Sequence, residues 1–505
     1  MVTAHAQEIE LKLLLVGLNG EEALKRLRRS PSLARRSPRQ QWLENRYFDT
    51  PDGWLQSHRC ALRLRQTRDT EAPPTKRQAS EPWIQTLKTA GVSQGGLSQR
   101  GEWESPVPGP RPYRDALAGT AWETLDPDDQ WFAQLQTRFS TRCLRTTWQI
   151  RRRDGTHIEV ALDEGSVEAR GREAPFLELE IELRQGEPQA LFQLAAELAT
   201  RVPCLPSNRS KAERGQALWA DTLHQPSRSR PLSPVADETV QALAQRAMAD
   251  MLDQFTRNLE SLIWRDDPEL VHQARVGWRR WRSMQRLFKA WLGEPTDIGP
   301  LKPLLDALGR QRNLDVACSE TLPHWSTSWP GEATVWLDCL ERLEAERRAH
   351  RTHLRQCLAD PGTGQALLAL AQSLWRMGQQ SLPIRKRWAR QRLGRWHRKL
   401  QRLLHHHSQG MVDISTLHEA RLLAKRLRYG SEALAGALSS RKQREAAKWM
   451  AEATAWQTRI GQSRDAWQAG ACLKEIGAPE TVVYFLRGVA ASMDRAAQDL
   501  VGQGR

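Results

Sequence analysis

The sequence predicts a two-domain α+β chain. Strands with charged faces come first, and an all-helical domain of two related units, each about four helices, follows. Three observations carry this. Eight runs alternate in polarity up to about residue 185, near 8–14, 42–48, 60–67, 83–88, 99–105, 142–151, 156–163 and 176–183. A stretch rich in Pro, Ser and Arg, residues 225–234, then interrupts the pattern. Beyond it polarity repeats at helical spacing, and a block of residues occurs twice. A chain of 505 residues exceeds what one core can organise. The expected division is a first domain over 1–222, a linker over 223–235 and a helical domain over 236–505.

The first run, Glu8-Ile9-Glu10-Leu11-Lys12, sets the character of the strand region. Successive side chains on a strand point to opposite faces, so Glu8, Glu10 and Lys12 share one face and Ile9, Leu11 and Leu13 the other. Two carboxylates about 7 Å apart on a rigid strand form a hard oxygen site suited to Mg²⁺ or Mn²⁺. The lysine adds a cation beside it, which is what a polyphosphate substrate needs. Later runs repeat the device with rows of one sign: Arg63 and Arg65, Glu102 and Glu104, then Glu178, Glu180 and Glu182. Strands whose charged faces converge would line a closed barrel with a wet, polar lumen. Helical patterns follow at 188–200 and 209–222.

Composition bounds the function. Net charge is +16, unevenly placed: residues 1–220 hold 32 Lys and Arg against 29 Asp and Glu, leaving 43 against 30 for the remainder. The first part is rich in both signs, whereas the second is cationic, as a polyanion binder is. Seven scattered cysteines with no C-x-x-C pair fit reduced thiols in a cytoplasm rather than a disulfide framework. The chain enters a charged strand directly, so no signal peptide is expected, and no apolar run is long enough to span a membrane. Nothing in the sequence signals an oligomeric state.

In the helical part, His272-x-x-Arg275-x-x-x-Arg279-Arg280-x-Arg282 recurs as His418-x-x-Arg421-x-x-x-Lys425-Arg426-x-Arg428. Leu308-Gly309-x-x-Arg312-Asn313 recurs as Ile460-Gly461-x-x-Arg464-Asp465. Positions 272, 275, 279 and 282 step by three or four and share one helix face. Like charges at that spacing destabilise a helix unless an anion lies against them. A stripe this costly, found twice, points to an anion-binding surface more than to a solvated face.

Taken in order, five motifs carry a family resemblance: Glu8-x-Glu10-x-Lys12, Leu62-Arg63-Leu64-Arg65, Lys88-Thr89-Ala90-Gly91, Glu178-Leu179-Glu180-Ile181-Glu182 and Ser210-Lys211-Ala212-Glu213-Arg214-Gly215. With them the N-terminal half resembles the CYTH, or triphosphate tunnel metalloenzyme, family. The C-terminal half resembles the CHAD domain, and the whole is similar to bacterial inorganic triphosphatases that join the two. The resemblance implies an eight-stranded antiparallel tunnel that hydrolyses inorganic triphosphate with Mg²⁺ or Mn²⁺. It implies metal ligands at Glu8 and Glu10 and an acidic wall of Glu102, Asp163, Glu178 and Glu180. Glu182 shares the face of the last two. Lys12, Arg63, Arg65, Lys88, Arg145 and Lys211 match triphosphate-binding cations, and Glu8, Glu10, Lys12 and Glu102 are the catalytic candidates. Thr147 stands where the family often has a second basic residue near Arg145. For the helical half the expected ligand is inorganic polyphosphate. It would be held by His272, Arg275, Arg279, Arg280, Arg282, Arg312, His418, Arg421, Lys425, Arg426 and Arg428.

Two other readings stay open at this point. A nucleotidyl cyclase or thiamine triphosphatase would use the same tunnel but needs an apolar cradle, for which Trp42, Trp54, Trp83 and Trp103 are candidates. A polyphosphate-binding or granule-associated protein would make the tunnel secondary. The basic positions lie within helices without a groove-reading motif, which argues against nucleic acid. No P-loop pattern is present.

Overall fold

The computed structural model describes residues 6–70, 83–230, 232, 235, 238–289, 296–379, 386–408, 414–434, 438 and 440–503. The chain divides into two compact units. The first comprises Met1–Gln225, Thr296–Leu301 and Leu358–Gln372, and the second Pro226–Pro295, Lys302–Cys357 and Ser373–Arg505.

Among the described residues ten strands build the first unit: β1 (Ala6–Leu15), β2 (Arg39–Asp49), β3 (Ala61–Asp69), β4 (Trp83–Lys88), β5 (Val92–Gln94), β6 (Leu97–Val107), β7 (Gln136–Arg151), β8 (His157–Ala169), β9 (Arg172–Gln185) and β10 (Cys204–Pro206). Their order is β10-β1-β9-β8-β7-β2-β3-β4-β6-β5, and β1 also pairs with β6. That pairing closes an eight-stranded antiparallel barrel, with β5 and β10 as short additions outside the ring. Register at the seam runs from Ala6 opposite Glu102 to Leu11 opposite Leu97, while Leu11 also faces Ile181 of β9.

Alternation along each strand explains the architecture. On β3, Leu62 and Leu64 are fully buried on the outer face, in a cluster with Trp54, Trp83, Leu87, Trp103 and Trp122. Arg63 and Arg65, which alternate with them, share the opposite, inward face. Leu11 and Leu13 alternate in the same way with Glu10 and Lys12 on β1. The helix Gln189–Ala199 buries Leu191, Leu194 and Leu198. The helix Lys211–Trp219 starts at Ser210, whose hydroxyl accepts from the Glu213 amide at 3.1 Å. This helix packs against β7 and β8 and carries Lys211 into the barrel.

The second unit is helical. Its long helices are Val240–Trp264, Pro268–Leu287, Lys302–Val316, Ala333–Leu358, Lys386–Ser408, Ile414–Leu434, Ser440–Glu475 and Glu480–Gln503, while the helix Pro361–Gln379 belongs to the first unit up to Gln372. The two sequence repeats occupy matching places. Their His-Arg blocks lie on Pro268–Leu287 and Ile414–Leu434, and their Gly-x-x-Arg blocks on Lys302–Val316 and Ser440–Glu475. The linker is anchored to this unit: the Ser227 amide donates to Asn258 at 3.0 Å, and the Asn258 amide donates back to the Ser227 carbonyl at 2.8 Å.

Candidate functional site: a charged tunnel

The strand residues expected from sequence are turned toward the barrel lumen by strand alternation, and Lys211 reaches the same carboxylates from the start of the helix Lys211–Trp219. Two ion-pair clusters share the lumen. In the first, Lys88 donates to both oxygens of Glu8 at 2.8 and 2.9 Å and lies 2.9 Å from Glu102. Arg100 donates from Nε to Glu8 at 2.8 Å and from Nη2 to Glu10 at 2.6 Å. In the second, Lys211 reaches Asp163 at 2.7 Å, Glu178 at 2.6 Å and Glu180 at 2.9 Å. Arg145 forks onto both oxygens of Asp163 at 2.7 and 2.6 Å and also donates to Glu180. Lys12 joins the clusters, 2.8 Å from Glu180 and 3.8 Å from Glu10. Arg63 lies 3.6 Å from Glu102 and 3.5 Å from Glu104.

Burial makes these contacts strong. Taking a lone charge out of water costs several kcal/mol, so each must be answered by an opposite one. Burial opposes the charge of Glu8, but Lys88 and Arg100 outweigh it and hold the carboxyl far below the ordinary range. Burial likewise opposes the ammonium of Lys12, while Glu10, Glu180 and Glu178 hold it protonated well above its usual range. Glu182 goes the other way. Burial pushes its carboxyl up to about 8 despite Arg184, with Glu8 and Glu159 adding repulsion. Arg65 differs from its neighbours. It donates to the Asn45 side chain at 3.0 Å and forms no ion pair among the described residues. Burial, with Arg63 and Arg145 nearby, weakens its hold on its proton.

Carboxylate oxygens of Asp163, Glu178 and Glu180 come within 4.8 Å of one another. An all-oxygen donor set of this kind fits a hard divalent cation and not a soft one.

Sequence reasoning missed Arg100. It lies on the same strand face as Glu102 and Glu104, and that parity was the available signal. Arg214 was quoted only inside a motif, yet it is buried, with its guanidinium 3.7 Å from Glu178. The four tryptophans do not line the tunnel. Trp54, Trp83 and Trp103 belong to the apolar cluster outside the barrel, and Trp42 is exposed beneath Arg142.

In the helical unit the two repeats bring part of their basic residues together. Burial and the repulsion of Arg421, Arg279, Arg464 and Arg275 push Lys425 down to about 7. Burial and the repulsion of Arg279, Arg312 and Arg464 push Arg275 down to about 10. Gly309 makes room for this crowding, since a Cβ there would lie 3.0 Å from the Arg275 guanidinium. Arg312 is paired with Glu320 at 3.1 Å, and His272 is half-buried near it. Other members of the blocks are engaged elsewhere. Arg280 is buried against Glu432 at 2.8 Å and Gln254 at 2.7 Å. Arg282 donates to Gln285, and Arg428 lies over Tyr429. Arg426 is repelled by Arg286. The side chain of His418 lies outside the described residues.

No helix among the described residues is long and apolar enough to cross a membrane. Residues 6–215 match the CYTH domain family and residues 246–474 the CHAD domain family. Over 214 residues the chain is 34% identical to the inorganic triphosphatase of Haemophilus influenzae, a match covering 42% of this chain and 55% of that protein. The chain thus spans about half the length of that curated relative. Among solved structures it is similar to the CHAD domain of the plant Ricinus communis, with 26% identity and a TM-score of 0.48 over 55% of this chain and 95% of that one. It is also similar to a Hippeastrum protein described as having a dominant triphosphatase activity, with 22% identity and a TM-score of 0.31 over 42% of this chain and 95% of that one. The chain thus carries a CYTH domain over residues 6–215 followed by a C-terminal CHAD domain over residues 246–474.

Proposed function

We propose that the tunnel hydrolyses inorganic triphosphate to pyrophosphate and phosphate with Mg²⁺ or Mn²⁺. The observation that carries this is the pairing of buried cations with buried carboxylates throughout the lumen. Triphosphate brings four to five negative charges and needs cations that are already desolvated. Lys12, Arg63, Arg65, Lys88, Arg145 and Lys211 provide them, with Arg65 the cation least compensated when the tunnel is empty. Glu8, Glu10, Asp163, Glu178 and Glu180 would hold the metal, which would supply Lewis-acid stabilisation of the negative charge that develops on the leaving pyrophosphate. Lys12 and the guanidinium forks fix the chain of phosphates in line for water. Glu102, between Lys88 and Arg63, keeps these cations from repelling each other. The apolar packing of Trp54, Trp83 and Trp103 outside the barrel favours a bare phosphate chain over an organic triphosphate.

The helical unit in this reading binds inorganic polyphosphate through Arg275, Arg279, Arg312, Arg421 and Lys425, which suits a place at polyphosphate granules. The seven cysteines are buried free thiols, which fits a reducing cytoplasm. Phosphate release from triphosphate, ATP, thiamine triphosphate and long polyphosphate, each with and without metal, tests the assignment. Triphosphate with Mg²⁺ or Mn²⁺ should be turned over fastest, and EDTA should abolish it. Full turnover in EDTA would remove the metal from the mechanism, and a preference for ATP would restore the organic reading.

A further inference from the structure

Arg100 holds an unusual position. Two of its three guanidinium nitrogens are spent on two different carboxylates, Glu8 at 2.8 Å and Glu10 at 2.6 Å. These stand two residues apart on β1. Lys88 donates to both oxygens of Glu8. A divalent ion joining Glu8 and Glu10 meets the guanidinium that lies between them. Both oxygens of Glu8 and one of Glu10 already accept hydrogen bonds, and the positive charges would repel across a few ångströms of poorly screened space. The carboxylates that suit a metal are therefore masked while the tunnel is empty.

The mask is removable. Arg100 is attached to β6 by a long flexible side chain that stays partly exposed in the lumen, with 16% of its surface accessible. Two oxygens of a tetrahedral phosphate offer a guanidinium fork a two-point acceptor as a carboxylate does, with more charge. A triphosphate entering beside β6 offers Arg100 an equivalent partner and frees both carboxylates for the ion that accompanies the anion. Ion pairs are exchanged rather than lost, so the desolvation cost is met on both sides of the exchange. Lys211 is built differently. It is buried at a helix start and bonded to three carboxylates at once.

We propose that Arg100 is a triphosphate-binding residue that also masks Glu8 and Glu10, making metal binding at this pair conditional on the anion. The inference rests on the triphosphate reading of the tunnel.

Two titrations of the full-length protein test it. Tripolyphosphate is titrated in EDTA by calorimetry, where no metal supports turnover. Mn²⁺ is titrated without phosphate by the electron paramagnetic resonance signal of the free ion. In R100Q tripolyphosphate should bind about tenfold more weakly or worse, as expected for one charge-assisted bond, while Mn²⁺ should bind about tenfold more tightly. R100K keeps the charge but offers one nitrogen on a shorter side chain in place of the two-nitrogen fork, so it should fall between R100Q and the parent in both titrations. The gain for Mn²⁺ should vanish in E10Q/R100Q. Structural damage would weaken both ligands together, so the opposite signs are diagnostic. Mn²⁺ binding to R100Q that is no tighter than to the parent overturns the mask. Unchanged tripolyphosphate binding overturns the contact. A parent that takes up no tripolyphosphate overturns the triphosphate reading and this inference with it.

Discussion

Lys12 and Arg65 are both tunnel cations, yet their surroundings predict opposite responses to truncation. Lys12 answers Glu180, Glu178 and Glu10. Lys12→Ala leaves buried carboxylates underpaired, a loss of about 3–5 kcal/mol for a broken buried pair. Thermal melting should fall by roughly 6 °C or more for a domain of this size. Arg65 forms no ion pair among the described residues, and Glu104 acts on it only from farther off, so Arg65→Ala should leave melting nearly unchanged. Its cost should appear in KM, raised by about tenfold to a hundredfold, the worth of one charged hydrogen bond. A melting curve and a saturation curve for each variant separate the two. Lys425 gives a pH test. Its pKa of about 7 in the free protein must rise when a polyanion lies against it. Polyphosphate affinity should therefore be full below pH 7 and fall as pH rises above it, with binding taking up a proton in that window. Lys425→Met should flatten the profile, and an unchanged profile would place the polyanion elsewhere.

The helix Lys211–Trp219 couples packing to chemistry. A Cβ on Gly215 would lie 2.0 Å from the Phe139 ring, so this helix seats against β7 only with glycine there. Gly215→Ala should push the helix outward and withdraw Lys211 from Asp163, Glu178 and Glu180. Overpacking of this kind costs about 1–3 kcal/mol. Activity should fall further than stability, and calorimetry with an assay on one preparation would show it. The strands were legible because burial on one face and charge on the other force a period of two. Leu62-Arg63-Leu64-Arg65 could hardly be anything else. Arg100 was not legible, because the run at 99–105 was read through its acids alone, and its bridge to β1 depends on which strands meet at the seam. β5 and β10, three residues each, are too short to carry a period. The crowding around Lys425 was only half legible. Each stripe shows in sequence, but helix packing decides which members converge, and it turned Arg280 toward Glu432 instead.

At the scale of the whole molecule, the anion sites should be separable by mutation. Replacing Arg275, Arg279, Arg421 and Lys425 with Gln should abolish polyphosphate retention and its steep salt dependence, while triphosphate turnover stays near the parent value. Loss of both activities would show that one site serves both ligands. The seam of the barrel carries a consequence for how the protein comes to exist. β1 stands ahead of its partners β6 and β9 in the sequence, so Leu11 waits for Ile181. Contacts so distant in sequence form slowly, and until they form β1 and its partners are open edges that invite association with other chains. Glu8, Glu10 and Lys12 all ride on that strand. The tunnel is thus assembled by the last and slowest step of folding. After dilution from denaturant, helical ellipticity should return early, and catalytic activity should return only with the slowest phase of tryptophan fluorescence.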